Sequence, residues 1–472
     1  MRALVAAVTS GILFFLSQGI ADFWLLGWLA PLPLLWFAYD GAPRWQVLVA
    51  SFAGFALGQL YLAQCYWGQL PPAIIVPLIV AMSVAFSIAV LFSAEVLRRG
   101  SPWATLLAFP ALWTALEYFI GSVSPHGSFG ALGYGQVSFP AGIQVASLFG
   151  VHAVTFLLCL FANALALLLR RRWSAGGAGV AACALALVFG FARLSGAHGP
   201  LVRVAALADT DSQHREHTVA SEEVATRAYA AQIGQLKDVR VVAIPEGAVL
   251  LQGDAQGVLL APLAAVAKAS GATVVVGTFT PEPAQNRAFA LLPDGRVETY
   301  EKRHLLAPFE TEIPGRDPGL LGGGYATQIC KDMDFAGSVR TTAAHGVRLM
   351  IVPANDFGRD GWIHARMAVM RGVENGFALL RSAFNGLETI SDAQGRVLAS
   401  APTTRSGVVI VQADVPLGSG ATLYTRIGDI FPWLCAVLSL LVAARMFLRA
   451  APRQRGVRNF FSKSQAADQI RS

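Results

Sequence analysis

The chain has 472 residues, of which 54% are hydrophobic and only 14% are charged, and its mean hydropathy is +0.52. A soluble globular chain carries about 25% charged residues, so these figures exclude a protein that is soluble throughout and indicate a membrane protein. Lysine and arginine number 36 against 29 aspartates and glutamates, which gives a formal net charge of +7. The places where these basic residues lie, described below, argue against nucleic-acid binding.

Eight stretches of the sequence are long and apolar enough to cross a bilayer, whose core of about 30 Å needs about 20 residues of helix. They cover residues 3–21, 23–39, 47–67, 72–97, 102–121, 141–169, 177–195 and 430–448. The first could also be a cleaved secretory signal peptide. We expect an uncleaved helix instead, because a second span follows almost at once and no small-residue cleavage pattern separates them.

Arginines cluster on alternate connections between these spans, whereas the other connections are almost uncharged. The clusters are Arg2, Arg44, Arg98 with Arg99, Arg170 to Arg172, and the tail that begins at Arg445. Short loops rich in lysine and arginine stay in the cytoplasm, so the amino terminus, the basic loops and the tail are predicted to be cytoplasmic. The arginines then fix topology and contact anionic lipid headgroups, which is a simpler account of them than nucleic-acid binding.

The pattern changes between the seventh and eighth spans to short Val- and Ile-rich runs, separated by charged residues, glycine and proline. We therefore divide the chain into a membrane region of about seven helices (1–198), an exported domain (199–425), a final membrane helix (426–450) and a basic cytoplasmic tail (451–472). In a bacterium with two membranes, the protein is then expected in the inner membrane with its exported domain in the periplasm.

Strands and helices alternate in the exported domain, which predicts a layered α/β fold inserted into a polytopic α-helical membrane protein. In chain order the pattern predicts strand 202–206, helix 221–236, strand 241–244, helix 259–269, strand 273–277, helix 338–345, strand 349–352 and helix 364–375. The pair Asp294-Gly295 between apolar runs predicts a β-hairpin turn.

One cysteine of the five stands apart from the others. Cys65, Cys159, Cys183 and Cys435 lie inside predicted spans, where cysteine usually serves as a small buried hydrophobic residue. Cys330 is alone in the exported domain, so it has no disulfide partner there. A lone cysteine in an enzyme-sized domain is a candidate nucleophile, and the alternative, a buried structural cysteine, stays open on the count alone.

Three residues at predicted strand ends could form a thiol active site. Glu246 follows strand 241–244, Lys302 ends the strand that contains Val297 to Tyr300, and Cys330 follows the run from Tyr325 to Ile329. A thiol that attacks an ester or amide needs a base and a positive group for the developing oxyanion. Glu246 can be the base, Lys302 the cation and Cys330 the nucleophile, although each alone could be an ordinary surface or structural residue.

The order of these residues and the motifs around them resemble a known family. The motifs are Pro245-Glu246, Lys302-Arg303-His304-Leu305, Pro308-Phe309-Glu310 and Ile329-Cys330, with Gly133-Tyr134-Gly135-Gln136, 144–150 and 422–429 in the membrane arms. The first four are similar to the Glu-Lys-Cys signature of the nitrilase, or carbon–nitrogen hydrolase, superfamily. With the membrane motifs and the order of spans, the chain resembles the membrane-embedded branch of that superfamily, apolipoprotein N-acyltransferase.

This resemblance implies an α-β-β-α sandwich domain and a two-step acyl transfer. Cys330 would attack the sn-1 ester of a phospholipid such as phosphatidylethanolamine, and the α-amino group of a diacylglyceryl-cysteine apolipoprotein would then attack the resulting thioester. Glu310 would be the family's second glutamate, which supports the lysine, although Glu312 could hold that role. The resemblance implies no cofactor and no metal, and we expect a monomer.

The sequence departs from the family pattern beside the nucleophile. Lys331-Asp332 stands where the family usually has Tyr-Glu, and the exported loop that usually bears a tryptophan reads Ser124-Pro125-His126-Gly127. Both Lys331 and Asp332 are candidate supporting residues. Lys331 could bind a headgroup phosphate, or it could be a solvated lysine.

Two other functions remain possible on the sequence. The first is a membrane-tethered nitrilase-like amidase or hydrolase, in which water resolves the thioester. The second is a catalytically silent lipid-binding subunit, against which the complete Glu246, Lys302 and Cys330 set argues.

Overall fold

The computed structural model describes residues 1–196 and 199–450. The predicted basic tail, 451–472, lies outside these residues. The helices of the membrane region are α1 (Arg2–Gln18), α2 (Trp24–Gly27), α3 (Leu32–Ala38), α4 (Arg44–Gly58), α5 (Leu60–Tyr66), α6 (Pro72–Arg98), α7 (Pro102–Val123), α8 (Pro140–Ile143), α9 (Ala146–Phe149), α10 (Val151–Leu169) and α11 (Trp173–Leu194).

The α/β domain and the last helix follow. Their elements are β1 (Leu201–Asp209), α12 (Val219–Gly234), β2 (Val241–Leu250), α13 (Gln256–Ser270), β3 (Thr273–Pro281), β4 (Ala284–Leu291), β5 (Val297–Glu301), β6 (Leu320–Gly322), β7 (Tyr325–Thr327), α14 (Ala336–Ala343), β8 (Leu349–Asn355), α15 (Gly361–Asn375), β9 (Ala378–Phe384), β10 (Leu387–Ser391), β11 (Val397–Pro402), β12 (Val408–Pro416), α16 (Leu423–Ile427) and α17 (Ile430–Ala450).

Within the described ranges, six helices are long and apolar enough to cross a membrane. They are Arg44–Tyr66, which joins α4 and α5, then α6, α7, α10 and α11, and Ile430–Leu448 within α17. These helices correspond to six of the eight predicted spans, and they support the prediction of a polytopic membrane protein.

Three predicted spans are shorter or divided in the structure. Span 3–21 is α1, of 17 residues, and span 23–39 is divided into α2 and α3. The division precedes Pro31, which has no backbone N–H to continue a helix. Span 141–169 is divided as well, because Gly150 adopts a φ of +76° and α10 begins only after it.

Two six-stranded mixed sheets form the α/β domain. The strand order is β12-β1-β2-β3-β4-β5 in the first sheet and β11-β10-β9-β8-β7-β6 in the second. In each sheet the central strands are parallel and the outer ones antiparallel, with β1, β2 and β3 parallel in the first sheet and β7, β8 and β9 in the second. The predicted hairpin at Asp294-Gly295 joins β4 and β5, and Gly295 takes the positive φ of 87° that the turn requires.

The two sheets face each other, and each has helices on its outer side. Side chains such as Val241 and Ile351 fill the space between the sheets. Helices α12 and α13 cover the first sheet, with Leu259 in that core, and α14 and α15 cover the second, with Val369 in that core. The predicted α-β-β-α layering is therefore confirmed.

The helical layer on the second sheet is also the surface that rests on the membrane region. Ile143 of α8 belongs to the same buried cluster as α15. The backbone N–H of Val151 donates to Glu374 Oε1 at 2.7 Å, and Arg366 Nη2 donates to the Gln18 carbonyl at 2.7 Å. The backbone N–H of Ser128 donates to the Asp334 carbonyl at 3.0 Å. These contacts fix one side of the α/β domain against the ends of the membrane helices.

Candidate active site

The structure brings Glu246, Lys302 and Cys330 to the wall of one cavity. Lys302 Nζ lies 2.8 Å from Glu246 Oε1 and 2.5 Å from Glu310 Oε1. Glu246 and Lys302 are each only 2% exposed. Three residues that are far apart in the sequence thus share one site, in which a buried ammonium contacts two carboxylates and the partly buried Cys330 thiol lines the same cavity.

The position of Glu246 differs from the prediction, because it lies inside β2 rather than after it. The pairing of β2 with β3 shifts register between Ile244 and Val249, and such a bulge turns a side chain out of the regular alternation. Gly277 on β3 allows the bulge to approach closely, since a Cβ there would lie 2.5 Å from the Glu246 Cα. Lys302 was predicted to end its strand and instead directly follows β5, while Cys330 comes three positions after the end of β7, which is shorter than the predicted run.

Cys330 begins a 3₁₀ turn (Cys330–Asp334) and has a φ of +42°. A positive φ is uncommon for a residue with a side chain, and such strain occurs where the surrounding structure holds the residue in place. Asp332 supplies much of that restraint. Its carboxylate accepts hydrogen bonds from the Ile329 N–H at 3.0 Å, from the Tyr300 hydroxyl at 2.7 Å and from the His304 N–H at 2.9 Å. Asp332 therefore connects the turn that begins at Cys330 to the loop after Lys302.

The two candidate second glutamates differ clearly. Glu310 contacts Lys302, and its other oxygen accepts from the Leu306 N–H at 2.6 Å. Glu312 has no contact with Lys302 among the described hydrogen bonds, and its Oε2 is buried without a hydrogen-bond partner there. Glu310 is thus the residue placed to support the lysine.

Asn286 on β4 is part of this group, although no sequence motif pointed to it. Its Nδ2 donates to Glu246 Oε1 at 2.6 Å and lies 3.4 Å from Glu310 Oε1. An amide between two carboxylates holds both in position without adding charge. The sequence could not predict this role, because nothing in the local pattern around a single asparagine in a strand relates it to a distant glutamate.

Lys331 is buried rather than solvated, with 6% of its surface exposed. Its Nζ lies 3.2 Å from His126 Nδ1 and 3.5 Å from Asp334 Oδ2. It lines the same cavity as Cys330. The alternative of a solvated lysine is therefore wrong.

Burial and neighbouring charges determine the proton affinities of the site. Burial raises the pKa of the Cys330 thiol well above its usual range, and the Glu246 carboxylate raises it further. Burial likewise raises the pKa of Glu246, although Lys302 opposes this. Burial lowers the pKa of Lys302, but the neighbouring Glu246, Cys330 and Glu310 outweigh it and the net direction is upward. These directions favour the protonated thiol, so any attack by this sulfur would need a base to take up its proton.

This electrostatic arrangement predicts a pH dependence for thiol acylation. We expect the rate to fall as the pH drops through the pKa of Glu246, because a protonated carboxyl cannot accept the thiol proton. Burial raises that pKa, so the acylation rate should already fall at a pH above about 4.3, the ordinary pKa of glutamate. Single-turnover acylation of Cys330, measured across acidic and neutral pH, checks this, and a rate that stays constant down to the ordinary value would contradict it.

The cavity has a volume of about 370 Å³ and joins the α/β domain to the membrane region. The Glu246, Lys302 and Cys330 group lines part of it. Much of the apolar lining comes from the membrane region, with Leu62, Tyr66, Leu70, Ile74, Ile75 and Leu78. The arrangement fits a ligand with a reactive polar group at one end and a hydrocarbon chain at the other.

Comparison with known proteins agrees with both halves of the structure. Residues 10–165 match the family model for the apolipoprotein N-acyltransferase N-terminal domain, and residues 207–421 match the model for carbon–nitrogen hydrolase. An apolipoprotein N-acyltransferase from Methylococcus capsulatus is 30% identical over 74% of this chain and 76% of its own length. Another from Geobacter metallireducens is 28% identical over 95% of this chain and 96% of its own length.

Among solved structures, an amidase from Nesterenkonia sp. is similar over 50% of this chain and 98% of its own, with 22% identity and a TM-score of 0.41. The family models cover the membrane region and the α/β domain separately, and the curated relatives cover both together. On these grounds the chain belongs to the apolipoprotein N-acyltransferase family, in the carbon–nitrogen hydrolase superfamily.

Proposed function

We propose that the protein transfers a fatty acyl chain from a membrane phospholipid, through a thioester on Cys330, to the α-amino group of a diacylglyceryl-cysteine apolipoprotein. The names of its relatives support this function. The observation that carries the proposal is the cavity, because a thiol, a carboxylate and an ammonium line it together with apolar side chains of the membrane region. Such a site admits a lipid ester directly from the bilayer.

In the first step the Cys330 sulfur forms a bond to the ester carbonyl carbon, and the ester C–O bond breaks. Glu246 accepts the thiol proton and passes it to the departing lysophospholipid alkoxide. The Lys302 ammonium stabilises negative charge on the carbonyl oxygen during the attack. Glu310 and Asn286 are positioning residues, since they hold the lysine and the base.

In the second step the acceptor amine forms a bond to the thioester carbon, and the C–S bond breaks. Glu246 accepts the amine proton and returns a proton to the sulfur, which regenerates the thiol. Thiol, carboxylate and ammonium suffice for both steps, so the proposal needs no cofactor or metal. All groups come from one chain, which fits a monomer.

We further propose that the protein lies in the inner membrane with residues 199–425 on the outer face. The arginines on alternate connections support this orientation. The acceptor and the donor are then both anchored in the same membrane, and the contacts of α15 with the membrane region keep the site beside them.

The fate of the thioester separates this function from that of a hydrolase. Purified protein is incubated with phosphatidylethanolamine and a synthetic diacylated lipopeptide, and both protein and peptide are examined by mass spectrometry. We expect an acyl adduct on Cys330 and an N-acylated peptide. An adduct that yields only free fatty acid in the presence of the peptide would support the amidase or hydrolase alternative instead, and no adduct would favour the silent lipid-binding subunit.

The apolar wall predicts a change in chain-length preference. Ile75 is 6% exposed and lines the cavity, so Ile75→Trp should fill space that a long acyl chain needs. We expect acylation by a long-chain donor to fall about tenfold relative to a short-chain donor, the scale of a few methylenes in a hydrophobic pocket. Competition between the two donors measures the ratio. Val76→Trp is the control, because Val76 is 49% exposed and does not line the cavity; an equal effect from both variants would contradict the assignment of this wall.

A further inference from the structure

A second polar group lies in the cavity beside the proposed nucleophile. Lys331 follows Cys330 directly, and its ammonium contacts His126 from the loop after α7 and Asp334 from the same 3₁₀ turn. Lys331 and His126 both line the cavity. The Glu246, Lys302 and Cys330 chemistry proposed above does not use either residue.

This group has hydrogen-bond donors left over. A lysine ammonium has three N–H donors and no acceptor, and Lys331 uses two of them on the described residues. Because the ammonium can only donate, His126 Nδ1 must accept, so the neutral imidazole carries its proton on Nε2. Burial, followed by the charge of Lys331, lowers the pKa of His126, which agrees with a neutral ring. Among the described residues nothing else takes the third N–H of Lys331 or the Nε2–H of His126, so both are available to a ligand.

The charge of Lys331 is only partly neutralised. Asp334 Oδ2 is 3.5 Å from the Lys331 ammonium, and Asp334 Oδ1 is 3.8 Å from His364 Nδ1. His364 carries a proton, since Asp334 and Asp360 outweigh burial and raise its pKa to about 10. His364 is paired more closely with Asp360, at 3.1 Å, so among the described residues Asp334 is the one carboxylate in contact with Lys331, and at long distance. The Lys331 ammonium is thus only loosely paired and can donate to an oxyanion that approaches it.

The spacing of Cys330 and Lys331 suits a glycerophospholipid. Adjacent Cα atoms are about 3.8 Å apart, and Cys330 and Lys331 both line the cavity. In such a lipid a short glycerol linkage separates the sn-1 ester carbonyl from the phosphate. A lipid whose ester lies at the Cys330 sulfur would then place its phosphate in the part of the cavity that Lys331 lines.

We propose that Lys331 and His126 form a subsite for the phosphate diester of the acyl donor, which selects donors that carry a phosphate over neutral glycerides. Phosphate oxygens accept the free N–H of Lys331 and the Nε2–H of His126, while Asp334 holds the lysine in place. The subsite rests on the proposed function, because it positions the ester that Cys330 attacks.

The test compares two donors with the same acyl chains in the full-length protein. Single-turnover acylation of Cys330 is measured by mass spectrometry with phosphatidylethanolamine and with diacylglycerol, at equal mole fractions in detergent micelles. Hydrogen bonds to charged groups correspond to roughly tenfold or larger effects. We expect the protein to prefer the phosphate-bearing donor about tenfold or more, Lys331→Met to lose most of that preference, and Lys331→Arg, which keeps a charged donor, to retain it.

Two further variants test whether the change in preference comes from the subsite. Lys268→Met removes an exposed lysine of α13, far from the cavity lining, and should leave the preference unchanged. His126→Phe leaves Lys331 and Asp334 in place and should also reduce the preference, so it tests the subsite even if Lys331→Met does not fold.

Inorganic phosphate distinguishes a subsite for any phosphate from one for a lipid phosphate. If inorganic phosphate competes with the donor in the unmodified protein but not in Lys331→Met, the subsite also accepts free phosphate. If phosphate does not inhibit, and Lys331→Met still loses the donor preference, the subsite accepts only the phosphate of a lipid. A preference that is equal in the unmodified protein, Lys331→Met and His126→Phe overturns the subsite and leaves the proposed function standing. No acylation of Cys330 by either lipid overturns both.

Discussion

Cys330→Ala is expected to abolish acyl transfer and to leave the protein folded. The substitution removes only the sulfur, and alanine meets the same backbone restraint at φ +42° as cysteine does. Without a nucleophile no thioester can form, and we expect the rate to fall at least about 1,000-fold, as when a nucleophile is removed from other covalent enzymes. The measurement is N-acylation of the diacylated lipopeptide, together with the mass of the protein after exposure to phospholipid.

A second cysteine provides the matched control for this variant. Cys183 is buried in α11 and lies outside the cavity lining, so Cys183→Ala should keep both the adduct and the transfer activity. Thermal unfolding of the two variants shows whether loss of activity comes from loss of structure. Transfer by Cys330→Ala at an ordinary rate would remove Cys330 as the nucleophile.

Local patterns in the sequence were sufficient to predict the layers of the fold. Strands were predicted from hydrophobic runs such as 241–244 and 349–352, and a hairpin from the Asp294-Gly295 turn, and the structure has these elements at those places. The breaks in the membrane helices at Pro31 and Gly150 were visible in the sequence too. They were missed because hydropathy alone reports how apolar a stretch is and not whether its backbone can remain helical.

The details of the site depend on contacts between distant residues, which local patterns do not contain. The bulge that turns Glu246 toward Lys302 needs Gly277 on the next strand, and a period-two pattern cannot show it. Lys331 followed by Asp332 looks solvated in the sequence. Lys331 is nevertheless buried, and it contacts His126, which lies 205 residues away in a loop of the membrane region. The sequence could therefore predict the Glu246, Lys302 and Cys330 group, but not the contacts that Asn286 and His126 make in the same site.

Glu246 and Glu310 are expected to have different roles, and replacing Glu246 should give the other large effect. Glu246→Gln is nearly the same size and can still accept hydrogen bonds from Lys302 and Asn286, but it cannot take up a proton. General-base catalysis contributes typically 10²–10⁴-fold, so we expect Cys330 acylation to fall by about that factor. Single-turnover acylation isolates this step from the later attack by the amine.

Glu310→Gln is the matched comparison, because both carboxylates contact the same ammonium. Glu310→Gln removes one anionic partner of Lys302 and keeps Glu246. We therefore expect the rate of Cys330 acylation to fall about tenfold, the scale of one charge-assisted hydrogen bond. The pH profile separates the roles further. Glu310→Gln should retain the fall in rate at acidic pH, whereas the residual rate of Glu246→Gln should no longer depend on pH in that range. If Glu310→Gln instead lost the acidic limb and Glu246→Gln kept it, the roles of the two glutamates would be exchanged, because the base is whichever carboxylate must be ionised for the thiol to react.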